Sequence, residues 1–300
     1  ACLMRDTEVI EQEADQTTLT RRYTEEAVRF IESAAGGPFF LYMPHTFPHI
    51  PLYASPEFRG RSRHGIYGDV VEEIDWSVGR VLEALARKGV ERNTLVLFAS
   101  DNGPWYQGSS GGLRGRKGMT WEGGVRVPFL ARWPGRIPRG RVCHALVSMM
   151  DMVPTLCGIT GAAMPAKPVD GINILPLLTG RAASLERDPL LYFHGREPLA
   201  ARWGKWKLHI ARYNAEMYSA NPPAGRMNLM LAQPELYNLE LDPDESCDVA
   251  AENPEIVRKI RAYVEGLMPG FPEDIRSAWQ RMLSTPAAPR PAGAFPAKAG

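Results

Sequence analysis

Thr94-Leu95-Val96-Leu97-Phe98-Ala99-Ser100-Asp101-Asn102-Gly103 is the stretch on which the fold turns. An apolar, β-favouring run closed by turn-forming residues predicts a buried strand over residues 94–99. Upstream of it, Ile66, Val70, Ile74, Val78, Val81, Leu82 and Leu85 recur at helical spacing and lead into Arg87-Lys88-Gly89. Basic residues followed by glycine are what a helix C-terminus favours, because they face the orphan carbonyls and permit a left-handed cap. Further back, Tyr23, Ala27, Phe30, Ile31 and Ala34 mark another helix. Gly36-Gly37-Pro38 ends it, and Phe39 to Met43 (FFLYM) is expected to be a short buried strand. Downstream, residues 128–133 predict one more strand, and Ser148 to Asp151 a capping box that opens a short helix closed by Gly158. Helix, strand, helix, strand in this order predicts an α/β region with a largely parallel sheet.

The character of the chain changes near residue 187. Leu191-Tyr192-Phe193, Trp206-Lys207-Leu208 and Glu235-Leu236-Tyr237 are short β-type runs, and residues 253–267 carry Ile256, Ile260 and Val264 in helical register. The expected organisation is an α/β domain over residues 1–187, a small α+β domain over 188–284, and a Pro- and Ala-rich disordered tail over 285–300. With 35 basic and 34 acidic residues the formal net charge is +1, which excludes a nucleic-acid binder working through bulk positive potential. No apolar run approaches the length of a membrane span. Cys2, Cys143, Cys157 and Cys247 show no metal-ligand spacing. Cys143 and Cys157 lie in apolar surroundings and are expected to be buried.

Three segments carry chemistry, each at the carboxyl end of an expected strand or in the long irregular loop that follows one. Ligands in open α/β sheets bind beyond those strand ends. Asp101-Asn102 offers two adjacent oxygen donors suited to a hard cation such as calcium or magnesium, although D-N-G by itself is also an ordinary turn. Gly111-Gly112-Leu113-Arg114-Gly115-Arg116-Lys117-Gly118 places three cations among glycines. It could clasp a tetrahedral oxyanion, or be no more than a solvated basic loop. Pro44-His45-Thr46-Phe47-Pro48-His49-Ile50-Pro51-Leu52 offers two histidines on a proline-stiffened loop. His49 is the stronger candidate for proton donation at a leaving oxygen and His45 the weaker. His64, His144, His194 and His209 have no such context and are read as structural or surface residues. The three segments converge on metal-assisted transfer or hydrolysis of a negatively charged ester.

Taken together, F-L-Y-x-P-H-x-x-P-H-x-P-L, T-L-V-L-F-A-S-D-N-G and G-L-R-G-x-K-G-x-T-W-E-G-G-V-R-V-P resemble the sulfatase family, in its arylsulfatase A and N-acetylgalactosamine-6-sulfatase branch. The likeness extends from about residue 8 to about residue 265. The resemblance implies an alkaline-phosphatase-like domain, a mixed sheet flanked by helices and here incomplete, followed by a small domain with an antiparallel sheet and a helix. It implies that Asp101 and Asn102 are two of the ligands of one calcium ion. Lys117 would bridge the sulfate and the nucleophile, and His49 would contact the ester near its leaving oxygen. The substrate would be a small-molecule or glycan sulfate ester, and the compartment exported or lysosomal.

One departure matters. Sulfatases use a formylglycine made from the Cys or Ser of a C/S-x-P-x-R signature, and no cysteine or serine of this chain stands in one. The family's first pair of metal-binding Asp residues is absent as well, and the chain does not open on Met. The expectation is an N-terminally truncated sulfatase, inactive by itself. Two alternatives stay open: a phosphoesterase or phosphonate-ester hydrolase of the same superfamily, and a non-catalytic anion- or glycan-binding remnant.

Overall fold

The structure is a computed structural model that describes residues 2–214 and 225–287. Most of the expected tail, from residue 288 onward, lies outside the described residues. By packing, the chain forms two compact units. The first comprises residues up to Leu97 with Ala131–Arg141, and the second comprises Phe98–Leu130 with the residues from Val142 onward.

The first unit begins with a hairpin of β1 (Leu3–Arg5) and β2 (Glu8–Glu11), followed by the helices α1 (Leu19–Ala34) and α2 (Gly65–Arg87). The apolar positions of α1 and α2 meet a core of Ile31, Ala84 and Leu85, joined by Val28, Val81, Leu82 and Val96. A second cluster places Phe47, Ala54 and Phe58 against Val70 and Ile74 of α2. The same helix buries two carboxylates. Asp69 accepts from the backbone N–H of Gly60 (2.8 Å) and Ser62 (2.7 Å), and Glu73 accepts from that of Ser55 (2.9 Å). The bonds from the Gly60 and Ser62 amides to the charged form hold the Asp69 carboxyl below its ordinary range. These bonds pin the loop after His49 to α2.

Residues 39–43, expected as a strand, form no strand. Their side chains nonetheless alternate. Phe39 and Leu41 pack on the α1–α2 core, while Phe40 and Tyr42 are 73% and 76% exposed. A strand is defined by backbone pairing, and among the described residues no strand runs alongside this one. The strand centred on Val96 does form: β3 (Val96–Ala99) pairs with β4 (Phe129–Arg132). Between them lies the irregular loop of residues 100–128, broken only by the short helix α3 (Glu122–Val125).

In the second unit the capping box forms as expected. Ser148 accepts from the Met150 N–H, and Asp151 accepts from the Ser148 N–H at 2.7 Å. Helix α4 (Met152–Thr160) runs past Gly158 and closes at Gly161, whose φ of 75° supplies the left-handed cap. A short α5 (Leu175–Leu178) leads to an antiparallel sheet in the order β5 (Leu190–His194), β6 (Glu197–Trp203), β7 (Trp206–Tyr213), β8 (Asn228–Asn238). Two helices, α6 (Pro254–Leu267) and α7 (Glu273–Ser284), cover it through Ile260, Val264, Trp279 and Met282. Helix α7 was not anticipated from sequence. Cys143 is exposed and Cys157 half-buried, so the expectation of buried thiols is corrected: Cys143 lies in an irregular segment, and Cys157 lies on α4, whose buried positions are Pro154 and Thr155. Among the described residues no helix is long and apolar enough to cross a membrane.

Candidate active site

The loop between β3 and β4 folds back on itself through backbone bonds that glycines make possible. Gly103 N–H donates to the Gly124 carbonyl at 2.9 Å, and Lys117 N–H donates to the Pro104 carbonyl at 3.0 Å. These two bonds tie the Asp101-Asn102 turn to the Lys117 segment. The approach leaves no room for a side chain: a Cβ on Gly103 would lie 2.0 Å from the Gly123 carbonyl oxygen. Asp101 is exposed and Asn102 half-exposed, with the Asn102 side-chain amide donating to the Asp101 carboxylate at 2.5 Å. Two adjacent oxygen-bearing side chains fit a hard cation such as calcium in kind of donor. They are two donors only: among the described residues no group of three or more His, Cys, Asp or Glu is placed to hold a metal.

The basic loop proves more specialised than its charge count. Arg116 donates to the Trp105 and Gly108 carbonyls, both at 3.0 Å. Arg114 donates to the Glu245 carbonyl at 2.9 Å and lies 3.8 Å over the Trp121 ring. Both guanidiniums are therefore committed to holding the loop. Lys117 is half-buried, and no side-chain hydrogen bond or ion pair engages it among the described residues. Of the three cations, Lys117 is the one left to meet an anion.

His49 and His45 belong to the first unit. His49 is exposed, and its Nδ1 lies 2.6 Å from the Ile50 carbonyl oxygen. A carbonyl can only accept, so Nδ1 carries a proton and Nε2 is the nitrogen left for a ligand. The peptide bonds Phe47–Pro48 and Ile50–Pro51 on either side are both cis, and Phe47 anchors the loop in the core. His45 is half-buried, with an Nδ1 that has no hydrogen-bond partner, and burial lowers its pKa.

Two models of known families match in succession: "Sulfatase" over residues 4–162 and "C-terminal region of aryl-sulfatase" over residues 185–284. The chain belongs to the sulfatase family. Mouse steryl-sulfatase is 42% identical over 212 residues, which is 67% of this chain and 34% of that protein. Dog arylsulfatase H is 34% identical over 292 residues, 88% of this chain and 52% of that protein. Among solved structures, the PsFucS1 sulfatase of Pseudoalteromonas sp. superposes with a TM-score of 0.74 at 29% identity, covering 84% of this chain and 53% of that one. The fold is therefore the sulfatase one, and the chain spans about a third to a half of the length of these relatives.

The sequence did not reveal what stands behind the Lys117 loop. Glu122, Lys207, His209 and Glu245 are each at most 1% exposed and form one network. Lys207 Nζ bridges Glu122 (3.0 Å) and Glu245 (3.2 Å), Arg202 reaches Glu122 at 3.2 Å, and His209 Nε2 donates to Glu245 at 2.8 Å. The His209 ring lies 4.1 Å from that of Trp121, centroid to centroid. Burial, with the Lys207 and Arg212 charges, lowers the His209 pKa to about 4 against the hydrogen bond to Glu245. A neutral His209 leaves two cations matched by two carboxylates. His209, read from sequence as structural or surface, is a buried member of this support. The usable signal was Trp206-Lys207-Leu208-His209-Ile210, in which two polar residues share one face of an otherwise apolar strand.

Proposed function

We propose that this chain contributes to the hydrolysis of sulfate monoesters. Asp101 and Asn102 would hold calcium, Lys117 would bind the sulfate, and His49 would serve the leaving oxygen. The observation that carries this reading is the pair of backbone bonds, Gly103 to Gly124 and Lys117 to Pro104, that tie the oxygen-donor turn to the one uncommitted cation of the basic loop. Calcium bound at Asp101 and Asn102 would supply a fixed positive charge to polarise the ester. The Lys117 ammonium donates to a sulfate oxygen and stabilises charge that grows as the S–O bond breaks. Arg114 and Arg116, held by carbonyls, keep the loop from reorganising as that charge develops. The resemblance gives His49, whose Nδ1–H is fixed on Ile50 and whose Nε2 is left for a ligand, the role of serving the leaving oxygen.

The nucleophile is not among these residues, since no Cys or Ser of the chain lies in a C/S-x-P-x-R signature. By itself this chain is expected to give no turnover of an aryl sulfate. The test compares 4-nitrophenyl sulfate with phosphate and phosphonate monoesters in a full-length protein that carries the signature. Preferred sulfate turnover supports the proposal. Preferred phosphate or phosphonate turnover overturns it in favour of a phosphoesterase, and sulfate binding without any turnover in favour of a non-catalytic anion-binding protein.

A further inference from the structure

The Lys117 segment runs from Arg114 to Glu122, and one residue far away in sequence holds both of its ends. At the first end, Arg114 donates to the Glu245 main-chain carbonyl at 2.9 Å. At the second, the backbone N–H of Glu122 donates to Glu245 Oε2 at 2.5 Å. The other carboxylate oxygen, Oε1, is fixed from beneath by His209 and Lys207 of β7. The ends also meet directly, Gly123 N–H donating to the Arg114 carbonyl at 2.7 Å. Glu245 is fully buried and adopts a φ of 55°, a left-handed conformation that is uncommon for a residue other than glycine, asparagine or aspartate. That backbone is imposed by the turn before it. Asp242 accepts from the N–H groups of Ser246 (3.0 Å) and Cys247 (2.9 Å), and Glu245 N–H donates to the Asp242 carbonyl at 3.2 Å. A conformation of this kind persists only where the surroundings over-determine it.

We infer that Glu245 is a positioning residue for Lys117, setting the geometry of the anion-binding loop from the small C-terminal sheet by clasping both ends of the Arg114–Glu122 segment. What Lys117 does once positioned rests on the sulfate-ester reading; how it is held does not. The Asp242-Pro243-Asp244-Glu245 turn, remote in sequence from every ligand candidate, thereby becomes part of the machinery that defines the site.

Amide hydrogen exchange and 4-nitrophenyl sulfate turnover in the full-length protein test it together, in wild type, Glu245→Ala, Lys117→Ala and the double variant. In Glu245→Ala the amides of Lys117, Glu122 and Gly123 are expected to exchange at least tenfold faster, while those of α6 keep wild-type rates. Turnover is expected to fall about tenfold to a hundredfold in kcat with little change in KM. In the Lys117→Ala background the same substitution is expected to cost less than twofold, because a residue that acts through Lys117 has nothing left to position. Glu245→Gln, which keeps an acceptor for the Glu122 amide, is expected to recover part of the loss. Unchanged loop exchange in Glu245→Ala overturns the inference, as does an equal loss of turnover with and without Lys117. If Lys117→Ala alone keeps full turnover, the sulfate-ester reading fails, and the loop exchange rates still decide the positioning. Should Glu245→Ala not fold, Glu245→Gln and Arg114→Met carry the same comparison.

Discussion

The loop that carries His49 and the loop that carries Lys117 are held in place by opposite means. The first relies on local covalent stiffness and on nearby anchors, with prolines on both sides of His49, Phe47 and Ala54 in the core, and the following residues bonded to Asp69 and Glu73 of α2. The second is rich in glycine and has little stiffness of its own. Its order comes from residues about a hundred positions away, through buried charges on β7 and the turn after β8. A stiff loop is held by groups close to it in sequence, whereas a flexible one inherits its geometry from distant groups. Substitutions outside the site should therefore disturb the Lys117 loop far more than the His49 loop.

That contrast orders four expected outcomes by their effect on stability. Lys207→Met removes the ammonium between Glu122 and Glu245 and leaves buried carboxylates short of a partner. Breaking such a network costs about 3–5 kcal/mol, read from the shift in urea denaturation. Gly103→Ala forces a methyl group against the Gly123 carbonyl, which has no flexible side chain to yield. It is expected to cost about 1–3 kcal/mol in the same measurement. Third, stability should fall with acidification below about pH 6.5. The His209 pKa is lowered to about 4 by burial, so the unfolded chain takes up its proton first. The contribution is complete above about pH 6.5 and is lost as pH falls through the window down to about 4, and His209→Gln should flatten that slope in pH-dependent melting. The smallest effect belongs to the other loop. His49→Gln, at an exposed position, is expected to change stability by less than about 0.5 kcal/mol while reducing turnover. A large destabilisation there would break the contrast.

Much of the fold was legible because it rests on local pattern. The helical spacing from Ile66 to Leu85 became α2, and the Ser148–Asp151 capping box formed bond for bond. Phe39–Met43 shows the limit of such pattern. Its side chains alternate as a strand's would, yet backbone pairing depends on a partner that no local sequence specifies. The candidate site divides in the same way. Asp101, Asn102, Lys117 and His49 could be named as candidates because each sits in a short motif, the first three after β3 and His49 on a proline-flanked loop. The roles of Arg114 and Arg116 could not, since a basic loop reads alike whether its guanidiniums face an anion or main-chain carbonyls. The network of Glu122, Lys207, His209 and Glu245 could not be read for a further reason: beyond the two polar residues on one face of β7, its meaning lies in contacts between residues up to 123 positions apart.

The most direct measurement is turnover of 4-nitrophenyl sulfate by Lys117→Ala in the full-length protein, alongside its melting curve. Loss of one preorganised donor to developing charge predicts a fall of about 10² to 10³ in kcat. Melting should stay close to wild type, because no side-chain bond to Lys117 is removed. Wild-type turnover in that variant would contradict the assignment of Lys117 as the sulfate-binding cation.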